Sequence, residues 1–386
     1  MTTRRKFLKL AGGGVVLAAA GTAWISIRKP ATARQPWSLA AEAPKGERAT
    51  DIRHLALSYA ILAPNPHNMQ PWIADLSEPD TVVLCCDPER KLPHTDPHDR
   101  QIVIGLGCFS ELLDMAARAA GYSVDVMAFP EGEPLPELDG RPVARFVFSK
   151  NDALASDPLF EHVLARRTNR EAFDTEKPVS EEILERLTQS ARYSDVGYTN
   201  DDSRVADLRD FSWSAMEMEL YTPRTYQESI DVMRIGSRQI DDNPDGIVLE
   251  GPMMELLSAT GMISREALAD VDSMTFRQGL PMLKAPFDTA MAFAWMSTAG
   301  NTRLDQFAAG RDYLRFHLAA TQEGLALQPF SQALQEYPEM ADHYAAIREK
   351  LAIDNDSTLQ MLVRLGYGPS IEPSPRWPYE SRIGNS

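Results

Sequence analysis

The sequence predicts an α+β fold built as two similar lobes, on three observations. Helical and strand-like hydrophobic patterns mix along the chain without the strict βα alternation of a parallel sheet. The order long helix, glycine, strand occurs twice, at 99–128 through Ala119-Ala120-Gly121-Tyr122 and at 302–330 through Glu323-Gly324-Leu325. The 386 residues also allow two or three domains of ordinary size. The expected architecture is small, mostly antiparallel sheets flanked by long helices.

Taken in order, Ile52, Leu55, Leu57, Ile61 and Leu62 form an apolar stripe that predicts a helix within 46–62. Residues 64–80, rich in Pro and Asn, read as a loop, and 81–86 as a strand. Cys85 and Cys86 then face opposite sides of that strand and serve as small core fillers. After a polar loop at 88–99, a largely buried helix spans 102–120 and stops at Gly121. Strands at 122–128 and 142–148 flank an acidic, Pro-rich turn, followed by helices near 156–165 and 180–192. Residues 204–285 are mostly helical and Met-rich, broken by Asp241-Asp242-Asn243-Pro244-Asp245-Gly246. A long helix at 302–323, a short strand or turn at 324–329, a helix at 338–351 and a strand at 359–367 complete the chain.

Charge excludes several functions. With 39 Lys+Arg against 55 Asp+Glu the net charge is -16, without the basic footprint of a nucleic-acid binder. Three cysteines cannot make a disulfide scaffold, and a 44% hydrophobic composition is not that of a polytopic membrane protein. The charge is also uneven. Residues 1–33 carry six Lys/Arg and no acid, which leaves -22 on the remainder.

That first piece reads as an address. Thr3-Arg4-Arg5-Lys6-Phe7-Leu8-Lys9 precedes an uncharged run at 10–27 and then Arg28-Lys29-Pro30-Ala31-Thr32-Ala33. A basic start, an apolar run and a small-x-small site make a signal peptide cut after Ala33. An uncleaved anchor is the alternative, since the run approaches the roughly 20 residues that span a bilayer. The paired arginines before Phe-Leu-Lys resemble the twin-arginine (Tat) export signal. That resemblance implies passage through the Tat translocase, already folded, to the periplasm or the outer face of the inner membrane.

Three distant segments carry chemistry. In Pro64-Asn65-Pro66-His67-Asn68-Met69-Gln70-Pro71-Trp72, prolines fix the backbone while amides offer donors and acceptors. This suits the rim of a planar heteroaromatic ligand, and equally an ordinary helix-ending loop. Arg166-Arg167-Thr168-Asn169-Arg170 places three guanidiniums and a hydroxyl within five residues, a density that favours anion binding in so acidic a chain. Ser374-Pro375-Arg376-Trp377-Pro378 holds an arginine between prolines, as a pre-positioned charge or as part of a C-terminal tail.

Together these segments resemble the FMN-dependent nitroreductase family. Residues 64–72 are similar to its Pro-Ser-x-x-Asn-x-Gln-Pro-Trp loop, with Asn65 in place of Ser, and Arg166, Thr168 and Arg170 to its Arg-x-Ser-x-Arg/Lys motif. Gly324 to Pro329 resembles the turn whose following backbone faces the flavin N5, which implies Phe330, Ser331 and Gln332 near that atom. Arg376 resembles the C-terminal phosphate contact. The order differs from that of ordinary members, because the amide loop comes a hundred residues ahead of the arginine motif. No second loop follows Arg166, where 191–198 is a poor match. The resemblance therefore implies a fused pseudo-dimer, with an amino-terminal lobe at 46–150 and a carboxy-terminal lobe at 156–386. A helical lid insert lies at about 215–285, and one FMN is shared between the lobes.

The residues implied to bind FMN are Arg166, Arg167, Thr168 and Arg170 from the arginine motif, and Asn65, Asn68 and Gln70 from the loop. Pro329, Ser331, Gln332 and Arg376 complete that set. No catalytic side chain is implied beyond the flavin. The expected function is an exported oxidoreductase that passes two electrons from NAD(P)H or another donor to a nitro, quinone or similar acceptor. An FMN-storing protein is the alternative. His94, Asp96 and His98 alternate in a Pro-rich loop, which is not a common zinc pattern, and no metal is expected. The Met-rich stretch serves as adaptable packing or as a lid over the flavin.

Overall fold

The computed structural model describes residues 32–384. The expected leader, apart from Thr32 and Ala33, lies outside the described residues. In the first lobe, β1 (Trp72–Asp75), β2 (Thr81–Cys86), β3 (Tyr122–Ala128) and β4 (Ala144–Lys150) form an antiparallel sheet in the order β1-β2-β4-β3. The second lobe opens with β5 (Asp195–Thr199), followed by an insert that contains the parallel pair β6 (Met233–Ile235) and β7 (Ile247–Leu249). It resumes with β8 (Ala292–Thr298), β9 (Ala326–Pro329) and β10 (Thr358–Gly366), giving an antiparallel sheet in the order β5-β8-β10-β9. In each lobe a long helix joins the second strand of the sheet to the third. The two sheets therefore share one topology.

The two joining helices, Arg100–Ala119 and Arg303–Gln322, pack against each other at the centre of the main core. The first is anchored by Asp96, which accepts from the N–H groups of Gln101 and Ile102 at its amino end. The second starts in a capping box between Thr302 and Asp305. They cross where neither tolerates a side chain. A Cβ on Gly107 would lie 2.2 Å from the Phe307 carbonyl oxygen, and one on Gly310 would lie 2.0 Å from that of Ile104. Each helix also sends its first residue into the other lobe. Arg100 donates to the carbonyls of Leu334 and Gln360, and Arg303 to those of His98, Pro134 and Pro136.

Several strands escaped the sequence reading. β1 lies inside the expected 64–80 loop, and β5 begins inside the 191–198 segment and ends just past it. Each is four or five residues long, too short for a clear alternation. β8 is buried at every position, so Ala-Phe-Ala-Trp-Met-Ser-Thr shows no alternation to detect. The helix expected near 156–165 is a short 3-10 turn, Pro158–His162. Cys85 and Cys86 are both buried free thiols.

The insert runs from helix Asp202–Tyr221 to helix Met274–Asp288 and has a small core of its own around Leu220, Tyr226, Ile230 and Phe276. Its methionines divide. Met216 and Met233 pack against these cores, whereas Met253, Met262, Met274 and Met282 are exposed. Among the described residues no helix is long and apolar enough to cross a membrane.

Candidate functional site

Helix Ile52–Ala60 ends beside the Pro64–Trp72 loop, and Ile61, Leu62 and Ala63 just past its end present their carbonyl groups to side-chain donors. Two arginines from far along the chain take them. Arg376 donates through Nε to Ile61 O (2.8 Å) and through Nη2 to Leu62 O (3.1 Å) and Ala63 O (3.0 Å). Its Nη1 donates to Asn68 Oδ1 and Pro375 O, so all five of its N–H groups are committed. Arg166 donates once to Leu62 O, at 3.0 Å. Both guanidiniums are buried, and among the described residues neither forms a salt bridge with a carboxylate. The carboxyl-terminal end of a helix dipole and its carbonyl oxygens supply the compensating negative potential. Burial, with the adjacent Arg167 adding to it, lowers the Arg166 pKa to about 10, and burial holds Arg376 well below its usual value.

Under-bonded polar atoms lie beside these arginines. The His317 ring meets the Arg167 carbonyl through Nε2 at 2.9 Å, while its Nδ1 is buried without a partner. The Tyr313 hydroxyl, on the same central helix, is likewise buried and unpartnered.

The loop itself is strained and internally bonded. His67, Asn68 and Gln70 adopt positive φ of 45°, 55° and 54°, which non-glycine residues rarely do. Asn65 Oδ1 accepts from Gln70 N at 2.7 Å, and Asn68 Nδ2 donates to Pro375 O at 3.0 Å. Gln70 Nε2 donates to Pro244 O, while its Oε1 accepts from Trp377 N. The amides thus hold the loop's shape and lock it to the C-terminal tail and the insert. The strain persists because these partners over-determine the conformation.

Arg170 contrasts with Arg376. It makes no hydrogen bond or ion pair with any described residue, and it retains accessible surface although burial lowers its pKa. Arg170 is exposed, so its guanidinium is open to a ligand. Its charge, added to burial, drives the His67 imidazole down to about 4, so His67 is neutral at physiological pH. His67 Nδ1 is buried and unpartnered.

The arginine segment is fixed against the second sheet. Thr168 bridges Leu327 of β9, Asn169 N donates to Leu327 O at 2.9 Å, and Arg364 of β10 donates to the carbonyls of Asn169 and Glu171. Arg364 also lies over the Phe173 ring at 3.7 Å. Pro329 ends β9 opposite Val363, and Phe330 N continues the pairing to Leu362 O. Immediately beyond, Ser331 Oγ and Gln332 Oε1 are buried with no partner.

The three segments singled out in the sequence therefore meet across some 100–300 residues. Arg166, Asn68 and Arg376 gather at one helix end, and Thr168 and Arg170 sit beside the strand that leads to Ser331 and Gln332. Arg167 turns aside, its Nη1 donating to Leu164 O and Arg166 O. The sequence reading did not single out His67, although it lies in the quoted loop. Trp37 was also missed. Its ring lies within 5.0–5.9 Å of the Arg166, Arg167 and Arg376 guanidinium carbons, and no spacing rule connects it with residues so far along the chain. Asp245, in the segment read as a helix break, accepts from Arg90, Arg234 and Trp377 and ties the insert to this site.

His94, Asp96 and His98 do not converge, since both oxygens of Asp96 are engaged in anchoring the central helix. Among the described residues no group of three metal-ligating side chains occurs. The described cysteines are buried, with thiol pKa values raised by burial, in Cys86 to about 12. These residues thus offer fixed positive charge, unpartnered acceptors and donors, and a neutral imidazole. Such a set is equipped to hold an anionic ligand that carries further polar atoms.

Comparison with known proteins gives the following. No family model matches the chain. It is similar to a putative NAD(P)H nitroreductase, acg, of Mycobacterium tuberculosis, 28% identical over 339 residues that cover 84% of this chain and 92% of that protein. A second putative NAD(P)H nitroreductase of the same organism is 25% identical over 339 residues, covering 84% of this chain and 91% of that protein. Among solved structures, the FMN and NADPH-dependent nitroreductase NfnB of a sphigopyxis strain overlaps with a TM-score of 0.37 at 17% identity, covering 60% of this chain and 99% of that one. The FMN-dependent NfnB of Mycobacterium smegmatis, in complex with NADPH, overlaps with a TM-score of 0.33 at 21% identity, covering 54% and 86%.

Proposed function

We propose that this chain is an FMN-dependent oxidoreductase of the nitroreductase-like family, two fused lobes sharing one flavin site, exported through the Tat pathway. The observation that carries the reading is a set of unsatisfied polar groups on the three segments. Arg170 without a hydrogen bond or ion pair among the described residues and an acid-free pair, Arg166 and Arg376, accompany the buried, unpartnered Ser331 Oγ, Gln332 Oε1 and His67 Nδ1. Orphaned buried polar atoms in this number ask for a ligand, and the donor set suits a phosphate at one end and a polar heterocycle at the other. Similarity to two putative NAD(P)H nitroreductases over most of the chain supports the same class.

FMN, when bound, supplies two-electron redox chemistry. The chain supplies binding and orientation. Arg166 offers the N–H groups that Arg376 cannot spare, while Arg376 adds charge and holds the loop. Thr168 and Arg170 would hold polar atoms of the ligand between its phosphate and its ring, and Ser331 and Gln332 would lie near the ring. Neutral His67 can give or take one hydrogen bond but carries no proton reserve at neutral pH, so no protein acid or base is assigned. NAD(P)H is the proposed donor and a nitro or quinone compound the acceptor.

The test is direct. Purified protein should absorb at about 450 nm, the band of an oxidised flavin. Anaerobic NADPH should bleach that band, and a nitroaromatic should restore it. A colourless protein that takes up no added FMN sinks the reading. A bound flavin that neither NADH nor NADPH reduces sinks the choice of donor. For export, fusion to a reporter that is active only after Tat transport should lose its signal when Arg4 and Arg5 become Lys; an unchanged signal removes the Tat assignment.

A further inference from the structure

The described chain begins with a strap that crosses the arginine end of the site. Thr32 N and Ala33 N both donate to Asp241 Oδ1 (2.9 and 3.1 Å), and Ala33 O accepts from Arg376 N at 2.8 Å. Arg34 then bonds the carbonyl of Pro373 and pairs with Glu250. Trp37, in helix Gln35–Ala41, donates through Nε1 to Ser374 O at 2.8 Å. The strap, residues 32–41, therefore meets the insert and the C-terminal tail at one place, directly over Arg166, Arg167 and Arg376.

Trp37 is a peculiar core residue. Only 6% of it is exposed, yet three guanidiniums lie around its ring, at 5.0 Å for Arg167, 5.7 Å for Arg376 and 5.9 Å for Arg166. Cations within about 6 Å of an indole are attracted by the negative face of the ring. Arg167 also feels Glu372, but no carboxylate pairs with the other two among the described residues. An indole packed for apolar burial alone would not gather three charges that each lose solvation there.

We propose that Trp37 is a cofactor-retaining residue that walls the phosphate end of the site. Its face holds Arg166, Arg167 and Arg376 together before the ligand arrives, and its bulk closes the anionic end against solvent afterwards. The phosphate then leaves only when the strap lifts, so Trp37 acts on the rate of release more than on the rate of entry. This assignment rests on the flavin reading, and it applies to the phosphate and not to the ring. It is independent of where the leader is cut, since a chain beginning at Arg34 loses the Thr32 and Ala33 bonds but keeps Trp37.

The test compares FMN with riboflavin, which lacks the phosphate, on the wild-type protein and on W37L and W37F. Leu retains apolar bulk without the ring face, and Phe restores a face. Release is followed by the rise in flavin fluorescence after dilution, with melting temperatures recorded on the same samples. The expected result is FMN release at least about 10-fold faster in W37L, the equivalent of a cation–π wall worth some 1–2 kcal/mol. W37F should recover most of that loss, and riboflavin release should be the same in all three. FMN release unchanged in W37L overturns the assignment. So does equal acceleration of FMN and riboflavin, which would make Trp37 a packing residue only. Wild-type protein that binds neither flavin overturns this assignment together with the flavin reading, whereas the other two outcomes leave that reading intact. If W37L does not fold, W37F against wild type carries the comparison, with a smaller acceleration confined to FMN as the supporting result and none as the overturning one.

Discussion

Arg170 and Arg376 carry the same charge but owe it to different employers. Arg376 has every N–H engaged by the carbonyls of Ile61, Leu62, Ala63 and Pro375 and by Asn68, whereas Arg170 makes no hydrogen bond or ion pair with any described residue. Replacing them should therefore separate binding from stability. Arg170→Ala is expected to weaken FMN binding by roughly 10- to 100-fold, the value of a lost charged hydrogen bond, with a nearly unchanged melting temperature. Arg376→Met should cost roughly 3–5 kcal/mol of folding stability, because it abandons several buried acceptors at once. Titration with FMN and thermal melts of both variants check this. Equal loss of binding and stability in both would refute the division of roles.

Among the elements, the insert is the one whose fit depends on buried acid. Glu228 accepts from His94 N, Thr95 N and the Thr95 hydroxyl, which seats the insert on the first lobe. Glu219, on helix Asp202–Tyr221, accepts from Gln335 and Ser229 and is buried near Glu228. Burial, with the Glu228 charge adding to it, pushes the Glu219 carboxyl up to about 7. The folded protein therefore holds a proton that the unfolded chain has already lost. By linkage, the resulting stability is present below pH 4.5 and declines as pH rises from there to about 7, by a total of roughly 3 kcal/mol. Glu219→Gln keeps an acceptor but cannot ionise. Melting temperatures from pH 4 to pH 8 should fall less steeply in the variant, which should be the more stable protein at pH 8. A parallel pair of profiles would show that Glu219 does not titrate in this range.

On the scale of the whole molecule, two sheets of one topology and two helices crossing at Gly107 and Gly310 give the lobes one plan, and Arg166, Arg170 and Arg376 lie by the Pro64–Trp72 loop of the first. The loop after helix Glu181–Thr188 corresponds in position to the Pro64–Trp72 loop, since each follows a helix and precedes the first strand of its sheet. In the second lobe that loop is closed by protein. Arg192, Tyr193 and Ser194 give their N–H groups to Asp312. Arg315 donates to Ser190 O and pairs with Glu111 and Asp157. Carboxylates thus occupy the region where the other half leaves arginines unpaired. One FMN per 386-residue chain is the expected stoichiometry, measured as flavin absorbance after denaturation against protein concentration. Two per chain would contradict this asymmetry.

Much of this was legible beforehand, and the residues show why. The joining helices announce themselves through long apolar patterns that end at Gly121 and Gly324, and glycine is what a left-handed helix end requires. Pro64 to Trp72 and Arg166 to Arg170 stand out because dense prolines, amides and guanidiniums are costly to place without a purpose. β8 was not legible, because burial on both faces erases alternation. Nor was Asp245, which looked like any turn residue until Arg90, Arg234 and Trp377 closed on it.

The sequence by itself determined the α+β class, the long helices, the acidic character and where prolines, amides and guanidiniums are concentrated, since these depend on local pattern and composition. Only the tertiary structure decided how those segments are used: that Arg376 is spent on a helix end, that Arg170 is left free, and that Trp37 roofs three guanidiniums. A side chain's role there depends on which donors and acceptors remain unpaired after folding. That balance is struck between residues far apart in the chain, where no local pattern can record it.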